Sequence, residues 1–211
     1  VASLIGRNYD TKIGGQKICR AEVQTIMDSI REGNKSILIN GKKGCGKTWV
    51  LLEVADQIER SDSYGLLFIK GDHFDDINSE EELMSRLSFN FSPSILVSRL
   101  SEYRRVVVII DSLDALSLAR DQKPLRTILS FIDKLLALEN VATVLACRDF
   151  DLEYDPYLRN RIWDKKIPLP PLNFERDIVP ILQSWGISIE AINENQKALF
   201  SHPQNLKLYE K

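Results

Sequence analysis

The chain has 211 residues, of which 44% are hydrophobic and 27% are charged, so it can bury a core of ordinary size. A formal net charge of -2 argues against a surface that binds nucleic acid over its whole area, although a local basic patch is compatible with this charge. Nucleic acid is therefore possible as a partner but not indicated. Three scattered cysteines exclude a disulfide framework or zinc site and favour a reducing, cytoplasmic location. The apolar runs are too short to span a membrane, so no membrane partner is expected.

The first segment of the chain, residues 1–17, has no hydrophobic periodicity and contains three glycines. We therefore predict an irregular lead-in. From Ile18 onward, apolar residues recur at the spacing of one helical face, and this pattern ends at Gly33. The first regular element is thus predicted to be a helix.

A short apolar run, Ile37–Ile39, precedes a glycine-rich turn that ends in Gly46-Lys47-Thr48 and opens a helical pattern. This is the G-x-x-x-x-G-K-[ST] phosphate loop between a strand and a helix, as the motif requires. The glycines allow backbone dihedrals that side chains forbid, and the loop N–H groups form an anion cradle. The predicted nucleotide-binding segment is Gly41, Lys42, Lys43, Gly44, Cys45, Gly46, Lys47, Thr48 and Trp49.

Individual residues of this loop have separate expected roles. Lys47 supplies a positive charge for the β- and γ-phosphates, and the Thr48 hydroxyl is placed to bind Mg²⁺. Lys42 and Lys43 either add to the positive field at the phosphates or are simply solvated. Cys45 either makes binding sensitive to oxidation or is a variable position of the loop.

The next segment contains a second strand and two helices. Leu66–Ile69 is wholly apolar, as expected for a parallel strand that is buried on both faces. The acidic residues of 71–76 are interpreted as a solvated loop. Ser79 and Glu82 have the spacing of a capping box, and Pro93 is placed to open another helix.

Val106–Ile110 is the most strand-like run of the chain, and it ends at Asp111, where open α/β sheets place their ligands. A carboxylate there can hold Mg²⁺ beside Thr48; the alternative is a helix cap. Asp114 could polarise an attacking water. Motor ATPases usually carry a glutamate where this chain has Ser112, so either Asp114 acts as the base or hydrolysis is slow.

A fourth strand, Val141–Ala146, leads to Arg148, whose guanidinium could bind the γ-phosphate with two hydrogen bonds. The alternative is an ion pair with Asp149 or Asp151. Lys166–Leu169 is predicted to be a short fifth strand, and its proline places it at the edge of the sheet.

The alternation of strands and helices predicts an α/β fold with three α/β/α layers and a five-stranded parallel sheet. Beyond Pro171 the pattern is only helical, which predicts the start of a small helical lid. We expect the chain to be part of a longer protein whose other domains are its partners. The predicted division is an irregular lead-in over 1–17, a nucleotide-binding domain over 18–171 and a partial lid over 172–211.

These motifs together resemble the signal-transduction ATPases with numerous domains (the STAND class, related to NACHT and NB-ARC modules) within the AAA+ superfamily. The run Ile110-Asp111-Ser112-Leu113-Asp114 is similar to their metal-binding strand end, although Ala115 stands where a further acid is often found. Thr143–Arg148 resembles the strand whose arginine senses the γ-phosphate. The resemblance implies the sheet order 5-1-4-3-2, with the phosphate-loop strand as strand 1.

Two further segments contribute to the resemblance. Arg20-Ala21-Glu22 resembles the lead-in that packs near the adenine in this class. Ser201–Leu206 resembles the lid motif whose proline, here Pro203, lies against the nucleotide base. The resemblance therefore implies that Arg20 and Pro203 contact the nucleotide.

The segment Asp155–Arg161 resembles the part of AAA+ proteins that carries an arginine finger into a neighbouring subunit. By this likeness Arg161, or less favourably Arg159, would complete the site of a second copy. The alternative is a solvated basic turn with Trp163 packed nearby.

The resulting hypothesis is an ATP–Mg²⁺ switch module of a larger signalling ATPase, which closes its lid on ATP, opens on ADP and hydrolyses ATP slowly. Self-association on ATP is part of the alternative, an AAA+ motor or loader that acts on protein or DNA. A small-molecule kinase and a scaffold that never cleaves ATP are the remaining hypotheses. Adenine is favoured over guanine only because the chain has no Asn-Lys-x-Asp string.

Overall fold

The computed structural model describes residues 2–3, 12–117 and 122–210. Within these residues, the strands are β1 (Ala2–Ser3), β2 (Lys12–Ile13), β3 (Gln16–Lys17), β4 (Ser36–Gly41), β5 (Tyr64–Lys70), β6 (Arg105–Asp111), β7 (Val141–Arg148) and β8 (Lys165–Pro168). The α-helices are α1 (Ala21–Arg31), α2 (Lys47–Glu59), α3 (Glu80–Arg86), α4 (Pro93–Ser101), α5 (Leu113–Ser117), α6 (Lys123–Leu136), α7 (Asp149–Tyr154), α8 (Pro156–Arg159), α9 (Val179–Ser184), α10 (Glu194–Phe200) and α11 (Pro203–Tyr209).

The main sheet is parallel, with the strand order β1-β5-β6-β7-β4-β8. Counting from the phosphate-loop strand β4, its five longer strands have the predicted order 5-1-4-3-2, which is confirmed. The predicted fifth strand, β8, lies at the edge of the sheet as expected. At the other edge β1 adds a sixth, two-residue strand from the segment predicted to be irregular.

Side chains of successive strand residues enter different layers, because a β-strand alternates its two faces. Ile37 and Ile39 pack with α1 and α2 on one face of the sheet. Leu38, between them, packs with residues of α4 and α6 on the other. The α/β/α architecture predicted from the alternating elements is confirmed.

The helices after β8 have a core of their own, and the β2–β3 hairpin belongs to it. Ile13 of the hairpin is buried with Ile181 of α9 and Phe200 of α10. Gly14, at the hairpin turn, has φ +57°, and a Cβ there would lie 2.6 Å from Trp185 Nε1. The prediction of an irregular lead-in missed this hairpin, because strands of two residues are too short to show an alternating pattern.

Smaller differences concern element ends. The first helix begins at Ala21 and not at Ile18, and β7 continues beyond the predicted strand to Arg148. The predicted division at 17/18 and 171/172 stays a prediction. None of the helices in the described part of the chain has the length and apolar character needed to cross a membrane.

Candidate active site

A cavity of about 630 Å³ lies between the carboxyl ends of the central strands and the helical segment that follows β8. Its sheet side holds charged and polar residues, and its helical side holds apolar residues, one amide and one lysine. The residues that line it are Ile13, Lys43, Gly44, Gly46, Lys47, Thr48, Trp49, Leu52, Lys70, Asp72, Asp111, Ser112, Asp114, Arg148, Pro203, Gln204 and Lys207.

The phosphate loop connects β4 directly to α2, which begins at Lys47. Gly44 and Gly46 have φ values of +77° and +97°, in the left-handed region that favours glycine. At Gly44 a Cβ would also lie 2.8 Å from Gln204 Oε1. The glycines therefore serve both the loop conformation and its close contact with α11.

Two side chains at the start of α2 are fixed by hydrogen bonds. Lys47 Nζ donates to the carbonyl oxygens of Gly41, at 2.8 Å, and Lys42, at 3.0 Å. Thr48 Oγ1 donates to Asp111 Oδ2 at 2.8 Å. The loop lysine, its hydroxyl neighbour and the strand-end carboxylate are thus assembled as the motif predicts.

Asp111 is 1% exposed, and burial raises the pKa of its carboxyl, although the hydrogen bond from Thr48 and the charge of Lys70 oppose the increase. An ionised carboxylate here would gain from a cation. Hydroxyl and carboxylate oxygens are ligands that Mg²⁺ prefers, and Mg²⁺ commonly takes only one or two from the protein. The Thr48 hydroxyl and the Asp111 carboxylate supply two such oxygens, and this small donor set suits a metal shared with phosphate oxygens.

Asp114 and Arg148 contact each other inside the cavity. Arg148 Nε lies 2.6 Å from Asp114 Oδ2, and Asp114 is 4% exposed. Burial raises the pKa of Asp114, while the charge of Arg148 lowers it. The alternative role of Arg148, an ion pair with a nearby carboxylate, is therefore present, but the partner is Asp114. The two partners expected from the sequence are engaged elsewhere: Asp149 accepts a hydrogen bond from Asn40, and Asp151 accepts one from Ser117.

Several cavity residues were missed by sequence reasoning. Lys70 ends β5 and faces Asp111 in the register of the sheet, so the rule that selected Asp111 could also have selected it. Asp72 lies in the next loop, which was interpreted as solvated. Ile13 and Leu52 have no motif that marks them. Gln204, Lys207 and Ser112 also line the cavity without a predicted role.

Three predicted residues lie behind the loop and not in this cavity. Gly41, Lys42 and Cys45 line a neighbouring cavity next to Pro170. Cys45 is 1% exposed. Arg20, predicted near the adenine, donates to the carbonyl oxygens of Cys45, at 2.8 Å, and Pro170, at 3.0 Å. Arg20 does not line the main cavity, and its two hydrogen bonds fix the outer side of the phosphate loop.

Arg161 also lies outside the cavity. Its guanidinium pairs with Asp133 of α6 and lies over the ring of Trp163, 5.4 Å from the centroid. The Arg161 side chain is 14% exposed, so within one copy it is held against its own domain. This arrangement matches the alternative, a basic turn packed on Trp163, although here the turn is paired and not simply solvated. Arg159 is exposed.

The predicted base-contacting residue, Pro203, opens α11 and lines the cavity. The backbone N–H of the next residue, Gln204, donates to the Gly44 carbonyl at 3.4 Å. Trp49 and Leu52 of α2 line the same cavity, as does Ile13. The helical segment therefore rests directly on the phosphate loop.

Three solved structures illustrate the likeness of fold. Orc1 of Aeropyrum pernix, solved in complex with DNA, is 18% identical with a TM-score of 0.56 over 90% of this chain. AMPPCP-bound DnaA of Aquifex aeolicus is 13% identical, with a TM-score of 0.56 over 94%. The Walker-type ATPase PABY2304 of Pyrococcus abyssi is 14% identical, with a TM-score of 0.65 over 99%.

The chain spans 58% of that Orc1 chain, 63% of the DnaA chain and 70% of the PABY2304 chain. No curated protein matches its sequence. One family model does match, over residues 37–171, from the phosphate-loop strand to the end of the sheet. The chain therefore belongs to the ATPase family associated with various cellular activities (AAA), and it carries an ATPase domain.

Proposed function

We propose that the chain is an ATP–Mg²⁺-dependent conformational switch within a longer protein, and that slow ATP hydrolysis resets it. The observation that carries this proposal is the contact between α11 and the phosphate loop, Gln204 N–H to Gly44 carbonyl at 3.4 Å. A triphosphate bound on the loop would lie between two parts of the chain that have separate cores. Its presence can therefore change how those parts sit against each other.

Magnesium would be held by Thr48 and Asp111, which supply a hydroxyl and a carboxylate 2.8 Å apart. When bound, the ion would neutralise charge on the β- and γ-phosphate oxygens. The chain's own contribution is to bury Asp111 and keep its carboxylate directed at the loop through the Thr48 hydrogen bond.

The γ-phosphate would face the cations of the cavity. Lys47 and Arg148 approach it from the sheet side, and Lys207 from α11. ADP lacks the γ-phosphate that these cations would share, so ATP and ADP would make different contacts with the sheet side and the helical side of the cavity. A ligand shifts a conformational equilibrium only by such a difference in binding, which is why these cations are central to the proposed switch.

The base would occupy the apolar end of the cavity. Ile13, Trp49, Leu52 and Pro203 supply surfaces that can pack against an aromatic ring, as ligand pockets commonly do. The base end is thus formed by the hairpin, α2 and α11 together. Since the hairpin and α11 share one core, this end would also respond to movement of the helical segment.

Hydrogen exchange of the purified chain tests this proposal, with a non-hydrolysable ATP analogue or ADP, each with Mg²⁺. We expect both nucleotides to protect the phosphate loop and the ATP analogue to protect the amides of 203–209 more strongly than ADP. The Lys47→Ala chain should show neither effect. Identical protection of α11 by the two nucleotides, with both bound, would remove the switch and leave only an ATPase site.

A second candidate is an oligomeric loader that acts on DNA, since the neighbours include an Orc1 structure with DNA. This likeness is one of fold, and the chain has a net charge of -2 with no basic stripe in its sequence. The same samples separate the two hypotheses by sedimentation with labelled duplex DNA. ATP-dependent assembly on the duplex would favour the loader, and a nucleotide-independent monomer would favour the switch.

A further inference from the structure

We propose that Asp72 is a further catalytic residue of this site, and that its carboxylate accepts the proton of the water that attacks the γ-phosphate. The inference rests on the proposed ATP hydrolysis and names the base for it. It differs from the role predicted for Asp114. The reasons come from the residues at the carboxyl ends of two neighbouring strands, β5 and β6.

The residue after Asp111 cannot serve as the base. It is Ser112, whose hydroxyl is neutral and a poor proton acceptor compared with a carboxylate. Its φ of +62° places it in the left-handed region, which is uncommon for residues other than glycine. The end of β6 therefore provides the metal carboxylate but no second acid directly beside it.

Asp114 is a carboxylate, but it is almost closed to solvent and is held by a guanidinium. Arg148 Nε lies 2.6 Å from its Oδ2, and the residue is 4% exposed. A water that used this carboxylate would have to enter a nearly closed site and compete with the guanidinium. Asp114 is better suited to hold Arg148 in place than to take a proton.

The end of β5 lies against the end of β6, because Lys70 faces Asp111 in register. The next residue is Gly71, where a Cβ would lie 2.6 Å from the Ser112 carbonyl oxygen and 2.9 Å from that of Asp111. Only glycine lets the backbone pass this close. The consequence is that Asp72 enters the same cavity as Asp111.

Asp72 has the exposure and the partner that a base at the cavity mouth needs. Its side chain is 44% exposed, so water reaches it, and Lys70 Nζ lies 2.9 Å from its Oδ2. Lys70 is 20% exposed and can act as a positioning residue for this carboxylate. The other acids of the loop do not line the cavity; Asp75 is exposed, and Asp76 pairs with Arg86.

The proposed step is an in-line displacement. The water oxygen forms a bond to the γ-phosphorus while the bond from that phosphorus to the β–γ bridging oxygen breaks. The bridging oxygen keeps the electron pair and leaves as part of ADP. The water proton passes to the Asp72 carboxylate and then to solvent, so the products are ADP and inorganic phosphate.

The test compares Asp72→Asn with Asp75→Asn, which removes one charge from the same loop outside the cavity. We expect Asp72→Asn to lower kcat about 100-fold or more, the usual range for a general base, with the Kd of a non-hydrolysable ATP analogue changed less than about threefold. Asp72→Glu should recover part of the lost kcat, and Asp75→Asn should match the wild-type chain. Thermal unfolding of each variant with and without the analogue checks that it folds and binds.

Three outcomes would overturn the inference. If the wild-type chain hydrolyses ATP and Asp72→Asn keeps kcat within about threefold, Asp72 is not the base, although the proposed function stands. If Asp72→Asn loses affinity and kcat together, the residue serves binding. If the wild-type chain binds ATP but never cleaves it, both this inference and the hydrolytic part of the proposed function fail.

Discussion

The two walls of the cavity differ in how their residues are held. On the sheet wall, Lys47, Thr48 and Asp111 form hydrogen bonds of 2.8 to 3.0 Å, and Arg148 pairs with Asp114 at 2.6 Å. On the helical wall, the contact to the phosphate loop is a backbone hydrogen bond of 3.4 Å from α11. One wall is built from charged and polar groups that are paired or hydrogen-bonded, and the other rests on it.

This difference separates two tasks. Buried and paired charges are costly to rearrange, so the sheet wall keeps one geometry and suits phosphate binding and chemistry. The helical segment has its own core, in which Ile13, Ile181 and Phe200 are buried together. It can shift against the loop without exposing that core, which suits a part that responds to the nucleotide.

The largest expected effect is on the sheet wall. Lys47→Ala should weaken ATP binding by about 100-fold or more, since it removes a charge and at least one charge-assisted hydrogen bond to phosphate. Isothermal titration with a non-hydrolysable analogue measures this. Lys42→Ala is the matched control, because it removes the same charge from an exposed position of the loop outside the cavity. Micromolar binding retained by Lys47→Ala would contradict the phosphate-binding role of this wall.

An intermediate effect should come from the ion pair between half-buried Arg148 and buried Asp114. Arg148→Gln leaves the Asp114 carboxylate buried without its charged partner, so we expect a loss of about 2 kcal/mol in the free energy of unfolding. The double change Arg148→Gln with Asp114→Asn should recover part of it, because the uncompensated charge is then gone. Urea unfolding of the wild type, the two single variants and the double variant gives the coupling free energy between the two side chains. Strict additivity would show that the two side chains are independent.

The smallest effect should be on the helical wall. Gln204→Ala keeps the backbone N–H that donates to Gly44 and removes only the amide side chain. We expect the Kd for the ATP analogue to change less than about threefold, in the range of one weak neutral hydrogen bond. A loss of about 50-fold in titration, far beyond one such bond, would mean that the Gln204 amide is essential for nucleotide binding, and the contrast between the walls would no longer hold.

The sheet wall was also the more predictable of the two. The glycine spacing and Lys47-Thr48 are contiguous in the sequence, and Asp111 ends a run of β-branched residues. Such local signals predicted the strands and the phosphate loop, and the family resemblance implied the order of the strands. The partner of Arg148 was not predicted, because it depends on which carboxylate folding brings to the end of β7.

The other missed residues share this dependence on tertiary structure. Ile13 belongs to a hairpin of two-residue strands, and its role exists only where the hairpin meets α9 and α10. Asp72 was interpreted as part of a solvated loop, because nothing in the sequence reveals that Gly71 packs on the backbone of the neighbouring strand. Arg161 was selected from a short match; packing near Trp163 was the stated alternative, and only the structure places Asp133 beside it.

The hairpin turn at Gly14 has a mechanical consequence. Its backbone N–H donates to Glu210 Oε1 at 3.0 Å, and Trp185 lies where a side chain at Gly14 would be. The hairpin is thereby joined to the end of α11, while Lys17 of β3 pairs with Glu53 of α2. A displacement of α11 on nucleotide exchange would therefore pull on the hairpin, and so on Ile13 at the apolar end of the cavity.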